Sequence, residues 1–202
     1  DQQYSARIIN FFGEFSRFKA ELDDKKIETI ELLKLNFKVT IIDNLMFNQN
    51  ISVENKFNNK LEFIRGDVRD NNLVKSIVKS KDVIIPLAGI VGAPLSEKMP
   101  KETVEINFEA IKYLTSIVSK EQIILMPVTN SGYGIGKKSS YCDENSPLNP
   151  ISLYGKTKVD SEKIIMEREN SVSFRLATVF GVSEGRMRTD LMVNNFTYFF
   201  MF

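Results

Sequence analysis

The sequence predicts an α/β fold built on a doubly wound parallel sheet, and three observations carry that prediction. From Phe37 onward, short β-branched runs alternate with longer stretches of helical period, the pattern of parallel strands joined by crossover helices. The run Val83, Ile84, Ile85 is continuously apolar between polar flanks, as a strand covered on both faces requires. A chain of 202 residues with 43% hydrophobic and 26% charged side chains is an ordinary soluble domain, large enough to bury about 70% of its unfolded surface.

The elements follow in order. Arg7 to Phe12 reads as a first strand and Phe15 to Leu22 as a short amphipathic helix, although residues 1–26 carry weak boundary signals. A helix is expected over Ile27 to Leu35, then strands at Lys38 to Asp43 and Leu61 to Arg65 and a helix at Asn71 to Ser80. Further strands fall at Asp82 to Ala88, Gln122 to Pro127 and Val172 to Ala177, separated by helices at Lys101 to Ser119 and Leu153 to Glu169. In Lys101 to Ser119, Val104, Phe108, Ile111 and Thr115 recur at spacings of three and four, with Ile106, Tyr113, Leu114 and Ile117 widening the core-facing stripe. Asn48 to Asn59 is polar and amide-rich, and Gly132 to Pro150 is a long turn-rich segment of the kind that carries function.

Charge and cysteine content narrow the function. Twenty-seven Lys and Arg against 26 Asp and Glu leave a balance of +1, which favours neither nucleic acid nor an acidic membrane as partner. With Cys142 alone and no histidine, intrachain disulfides, most zinc sites and every His-based triad are excluded, and no metal is expected. No apolar run approaches the roughly 18 residues of a spanning helix and no leader is visible, so the expected location is a reducing cytoplasm. The missing initiator Met and the apolar run Phe196 to Phe202 at the end give the expectation of a fragment.

One pair of residues points to chemistry. Tyr154 and Lys158 form a YxxxK motif, and four residues on a helix put both side chains on one face. An ammonium beside a phenol favours the phenolate, lowering a reference pKa of about 10 toward the range where tyrosine acts as a base. Thr129 follows the strand Gln122 to Pro127, at the carboxyl edge where open α/β sheets bind ligands. Taken by itself, a YxxxK spacing reads as an ordinary helix surface pair. Gly132, Gly134 and Gly136 before Lys137 do not have phosphate-loop spacing, and nothing beside Cys142 supplies it with a base.

In context the pair is preceded by Glu144, Pro147 and Pro150, and it sits in an ordered set. That set is IIDNL (41–45), GDVRD (66–70), LAG (87–89), VEIN (104–107), TNSGYG (129–134), YGKTK (154–158) and FRLATVFG (174–181). From about Ile27 to Asn195 the chain resembles the extended short-chain dehydrogenase/reductase family of NAD-dependent nucleotide-sugar epimerases and dehydratases. The resemblance implies a single Rossmann-like NAD(P)-binding domain over residues 1–202, NAD as cofactor, a nucleotide-sugar substrate and a homodimer paired through the helices at 101–119 and 153–169. It implies Tyr154 as catalytic base or acid, Lys158 as its partner that also holds the nicotinamide ribose, and Thr129 as the hydroxyl that polarises the sugar. Asp43 falls where the family binds the adenosine ribose, and a carboxylate there favours NAD over NADP. Asp67 and Val68 match the adenine-contacting pair, Leu87, Ala88 and Gly89 the segment under the cofactor, and Asn107 an asparagine that supports the active site. Ser131, Thr178 and Arg186 fall on the substrate side, Arg186 with Arg188 as nearby cations for a diphosphate.

Two departures qualify the implied activity. Family dehydratases place an Asp-Glu pair after the threonine; Asn130 and Ser131 stand there and cannot act as carboxyl acids, so epimerase or ketoreductase chemistry is expected over elimination. The family's GxxGxxG turn is missing, since only Gly13 precedes Gly66, and Glu14, Glu21, Asp23 and Asp24 occupy that region. The smaller substrate-binding region is also expected to be mostly absent. A catalytically impaired remnant that binds a partner or dimerises therefore stands as the alternative expectation.

Overall fold

The computed structural model describes residues 32–33, 35–46, 59–136 and 141–177. Contacts group the chain into two units, the first taking residues 1–41, 45–65 and 179–202 and the second residues 42–44 and 66–178. In the first unit, strand β1 (Val39–Asp43, whose last two residues belong to the second unit) lies beside β2 (Leu61–Arg65). Thr40 Oγ1 donates to Glu62 Oε2 across the pair at 3.0 Å. Of the expected helix at 27–35, Leu32 and Leu33 are helical, and Asn36 with φ of 71° ends it, a left-handed position that Asn tolerates. The expected elements at 7–12 and 15–22 lie outside the described residues.

The second unit holds a three-stranded parallel sheet in the order β3 (Val83–Ile84), β4 (Ile123–Thr129), β5 (Ser171–Leu176). Helix α1 (Asn71–Val78) precedes it, capped by Asp70, whose carboxylate accepts from the Asn72 and Leu73 amides. Between β3 and β4 run α2 (Ala93–Lys98) and α3 (Pro100–Val104), a π turn (Glu105–Glu109) and α4 (Ala110–Ile117). A 3₁₀ turn (Asn130–Tyr133) follows β4, and α5 (Leu153–Met166) leads to β5. The α/β architecture of parallel strands and flanking helices is the one the sequence predicts.

Three local expectations are corrected. The strand expected over Asp82 to Ala88 is confined to Val83–Ile84, and Val83 is 41% exposed rather than covered on both faces. Among the described strands β3 has one neighbour, and residues 85–89 leave the ladder to form a loop. The helix expected over Lys101 to Ser119 is interrupted by the π turn, and its buried stripe is Thr103, Ile106, Asn107, Ala110, Ile111 and Leu114. Val104 stays exposed and Phe108 half-buried, because the helix turns inward the edge whose polar members find partners: Thr103 Oγ1 donates to Met99 O at 2.7 Å, and Asn107 bonds Ile90. Helix α2 and the 3₁₀ turn carry too few residues for a periodic signal and are not foreseen.

One hydrophobic cluster organises the unit. Strand β4 alternates, burying Ile124, Met126 and Val128, and these pack with Val74 and Val78 of α1, Ile111, Leu114 and Val118 around α4, and Ile165 of α5. Ile124, Met126 and Ile165 are fully buried, so shortening any of them leaves a cavity. Ile124→Ala is expected to destabilise the protein by about 2–5 kcal/mol, read as a lower urea midpoint with unchanged denaturant slope.

Candidate active site

The site begins where β4 runs out. Thr129, half-buried, ends the strand and caps the 3₁₀ turn: its hydroxyl accepts from the Ser131 amide at 3.1 Å and donates to Ser131 Oγ at 3.1 Å. Ser131 itself is exposed. The turn packs on the start of α5 through glycines, since a side chain on Gly155 would meet Ser131 O at 3.1 Å and one on Gly132 would meet Val159 Cγ2 at 2.9 Å. Gly134 has φ of 66°, and a side chain there would collide with the carbonyl of Asn149.

Helix α5 starts at the Ser152 cap, whose hydroxyl accepts from the Gly155 amide at 3.1 Å. Thr157 donates back to the Leu153 and Tyr154 carbonyls at 3.0 and 3.1 Å, so the first turn is held by side chains as well as backbone. Tyr154 is half-buried. Lys158, one turn on, is only 7% exposed, and burial pulls its ammonium down from the ordinary 10.5 to about 8. The sequence contains the spacing but no sign that this lysine is interior.

Lys158 lies beside the loop that follows β3. A methyl group placed on Gly89 would stand 3.1 Å from Asn107 Oδ1 and 3.6 Å from Lys158 Nζ. Asn107, fully buried in the π turn, accepts from the Ile90 amide at 2.8 Å and donates to the Ile90 carbonyl at 2.9 Å. Its own carbonyl accepts from Ser161 Oγ of α5 at 2.5 Å. Gly89, Asn107 and Lys158 are thus brought together from three elements, and Leu87 and Ala88 lead into that point half-buried.

Asp43 ends β1, and its carbonyl accepts from the Gly66 amide at 3.0 Å. Val68 is half-buried beside Asp67. Asp67 is more engaged than the sequence suggests: Oδ1 accepts from Arg69 N and Nε at 2.9 Å each, and Oδ2 from Arg69 Nη2 at 2.8 Å and Asn44 Nδ2 at 3.2 Å. The Arg69 guanidinium, with these further bonds, holds the Asp67 carboxyl well below the usual carboxylate range. All four acceptor positions of the carboxylate are filled by these donors. Thr178 and Arg186, and the turn region around Gly13, lie outside the described residues.

Residues that sequence reasoning missed are Arg69, Glu162 and Arg175. Arg69 bridges Asp67 to Glu105, 2.8 Å from each, and so ties the segment before α1 to the first residue of the π turn. Arg175 bonds Glu162 inside the fold. The available signals were a charge inside the strand sequence SVSFRL and Glu162 four residues after Lys158 on the same helix face.

The buried lysine gives a measurable pH dependence. A folded-state value of about 8 against an ordinary 10.5 means that the unfolded chain binds more protons between those limits, so stability rises with pH across that window. Below pH 8 the full penalty is present, about 3 kcal/mol for a shift of that size. Lys158→Met is therefore expected to be stabilised relative to wild type at pH 7, with the difference shrinking by about 3 kcal/mol by pH 10.5, in paired urea titrations at the two pH values.

Comparison with known proteins bears on this arrangement. The family model for the NAD dependent epimerase/dehydratase family matches residues 29–197. A putative UDP-glucose 4-epimerase of Methanocaldococcus jannaschii is 30% identical over 138 residues, which are 67% of this chain and 44% of that protein. The UDP-glucose 4-epimerase of Lactobacillus helveticus is 28% identical over 159 residues, covering 76% of this chain and 47% of the relative. The chain thus spans less than half the length of these curated relatives. Among solved structures, UDP-glucuronic acid 4-epimerase from Bacillus cereus in complex with NAD superposes with a TM-score of 0.71 at 23% identity, over 87% of this chain and 59% of that one. That likeness establishes the fold as Rossmann-like. With the family model spanning most of its length, the chain belongs to the NAD-dependent epimerase/dehydratase family.

Proposed function

We propose that the chain acts on a nucleotide-sugar by transient hydride transfer, with epimerase or ketoreductase chemistry and Thr129, Tyr154 and Lys158 as its catalytic residues. The observation that carries the reading is the ammonium of Lys158, buried one helical turn after Tyr154 and adjoining the bare backbone of Gly89. Among the described residues no hydrogen bond donated by that ammonium is found, so it keeps donors to offer a ligand. A narrow approach over a glycine, flanked by a cation, fits the ribose end of a nicotinamide nucleotide. NAD, when bound, supplies a reversible hydride acceptor for the sugar carbon.

In this reading the charge of Lys158 holds Tyr154 as the phenolate, whose Oη takes the proton from the sugar hydroxyl and becomes the neutral phenol as the carbon gives up its hydride. Thr129 presents its hydroxyl to the same sugar oxygen from the end of β4, with Ser131 beside it; Thr178 and Arg186 are assigned to the substrate from the sequence alone. Asp43 accepts from the adenosine ribose, and Val68, Leu87, Ala88 and Gly89 line the cofactor's path, with Asp67 held by Arg69 near the adenine. Asn130 and Ser131 supply no carboxyl acid, which disfavours elimination of a neighbouring hydroxyl. The second reading, a binding or dimerising module without turnover, is favoured by one sequence fact: only Gly13 precedes Gly66, leaving no GxxGxxG turn for the diphosphate.

The two readings part on ligand binding. NAD at millimolar concentration is expected to raise the thermal midpoint, a gain of about 2.7 kcal/mol if the ligand reaches 100 times its Kd. With a UDP-hexose as substrate, Tyr154→Phe is expected to lower kcat by about 10²–10⁴-fold while the NAD-induced shift persists. An unmoved midpoint with NAD, together with no turnover, selects the non-catalytic module.

A further inference from the structure

Arg175 of β5 is a cation inside the fold, with a side chain 19% exposed, and its partner Glu162 of α5 is 9% exposed. Nε donates to both Glu162 oxygens, at 2.9 and 3.1 Å, and Ser173 Oγ donates to Glu162 Oε1 at 2.8 Å. The other arm of the guanidinium reaches away from the helix. Nη1 donates to Tyr133 Oη at 3.4 Å and to the Glu144 carbonyl at 3.0 Å, and the guanidinium lies 5.4 Å from the centre of the Tyr133 ring. Tyr133 Oη in turn donates to the Asp143 carbonyl at 2.9 Å.

One side chain therefore joins three pieces of the site: the helix that carries Tyr154 and Lys158, the 3₁₀ turn that starts from Thr129 and carries Ser131, and the segment at 143–144 that leads back to α5. A buried ion pair is a poor way to gain stability, since apolar residues of similar volume serve as well or better. What it supplies is direction, because the planar fork of arginine fixes several acceptors at once. We infer that Arg175, anchored by Glu162, is a positioning residue that sets the Thr129–Ser131 turn against the helix bearing Tyr154. Its catalytic consequence rests on the function proposed above; its mechanical consequence does not.

The test uses the full chain with two variants. Arg175→Lys keeps the charge and loses the fork, and the double variant Glu162→Leu/Arg175→Met removes the pair while filling its volume. Hydrogen exchange followed by mass spectrometry is expected to accelerate at least about ten-fold in residues 130–134 and 143–149 in both variants, with β4 and α1 exchanging as in wild type. On a UDP-hexose, kcat is expected to fall about 10–100-fold while the thermal shift with NAD is retained, the split expected of lost orientation rather than lost binding. Unchanged exchange in both segments of the folded double variant overturns the inference, and so does an unchanged kcat in an active protein. A wild type without turnover defeats the proposed function alone, because the exchange comparison still decides the clamp.

Discussion

Asn107 does for the loop after β3 what a neighbouring strand does for a ladder residue. Strand β3 ends at Ile84, yet Ile90 is 1% exposed, so its amide and carbonyl need partners inside the protein. The Asn107 side chain supplies both, with Oδ1 on the amide and Nδ2 on the carbonyl, and Nδ2 also reaches Thr157 Oγ1 at 3.5 Å. Leaving either Ile90 group unsatisfied costs about 1–3 kcal/mol. The π turn places this amide, and Ser161 closes the arrangement by bonding the Asn107 carbonyl from α5. Gly89 and Lys158 take their places around that junction.

The buried face of α5 is polar for the same reason. Thr157, Lys158, Ser161 and Glu162 point inward alongside Val159 and Ile165, an arrangement that costs stability unless each group is answered. Thr157 and Ser161 are answered by backbone and by Asn107, and Glu162 by Arg175 and Ser173. Lys158 carries its desolvation cost in the folded state, and burial holds its ammonium below the ordinary value. The hydrophobic cluster on β4 holds the unit together, and the polar face of α5 decides which side chains meet at its rim.

Much of this was legible along the chain. The short run at 122–127 located β4, and the Tyr154 to Lys158 spacing falls on a helix that starts at Leu153, where the sequence places it. The β-branched run at Val83 misled, because burial on both faces depends on neighbours that local sequence does not specify. The inward edge of the helix after Pro100 lies one position from its apolar stripe, since Thr103 and Asn107 look like solvent-facing residues until their partners on Met99 and Ile90 are known. The Asp67–Arg69–Glu105 bridge and the Arg175 clamp join residues far apart in sequence, and no window of local pattern contains both ends.

The junction at Asn107 is best examined through the Ile90 amide itself, whose acceptor is a side chain instead of a strand. Its hydrogen-exchange rate, resolved by NMR on the wild-type chain, is the most direct measurement. Protection approaching that of the core amides of β4, lost only on global unfolding, is the result expected. Exchange at the rate of an exposed loop would contradict the arrangement on which the rest of the site is built.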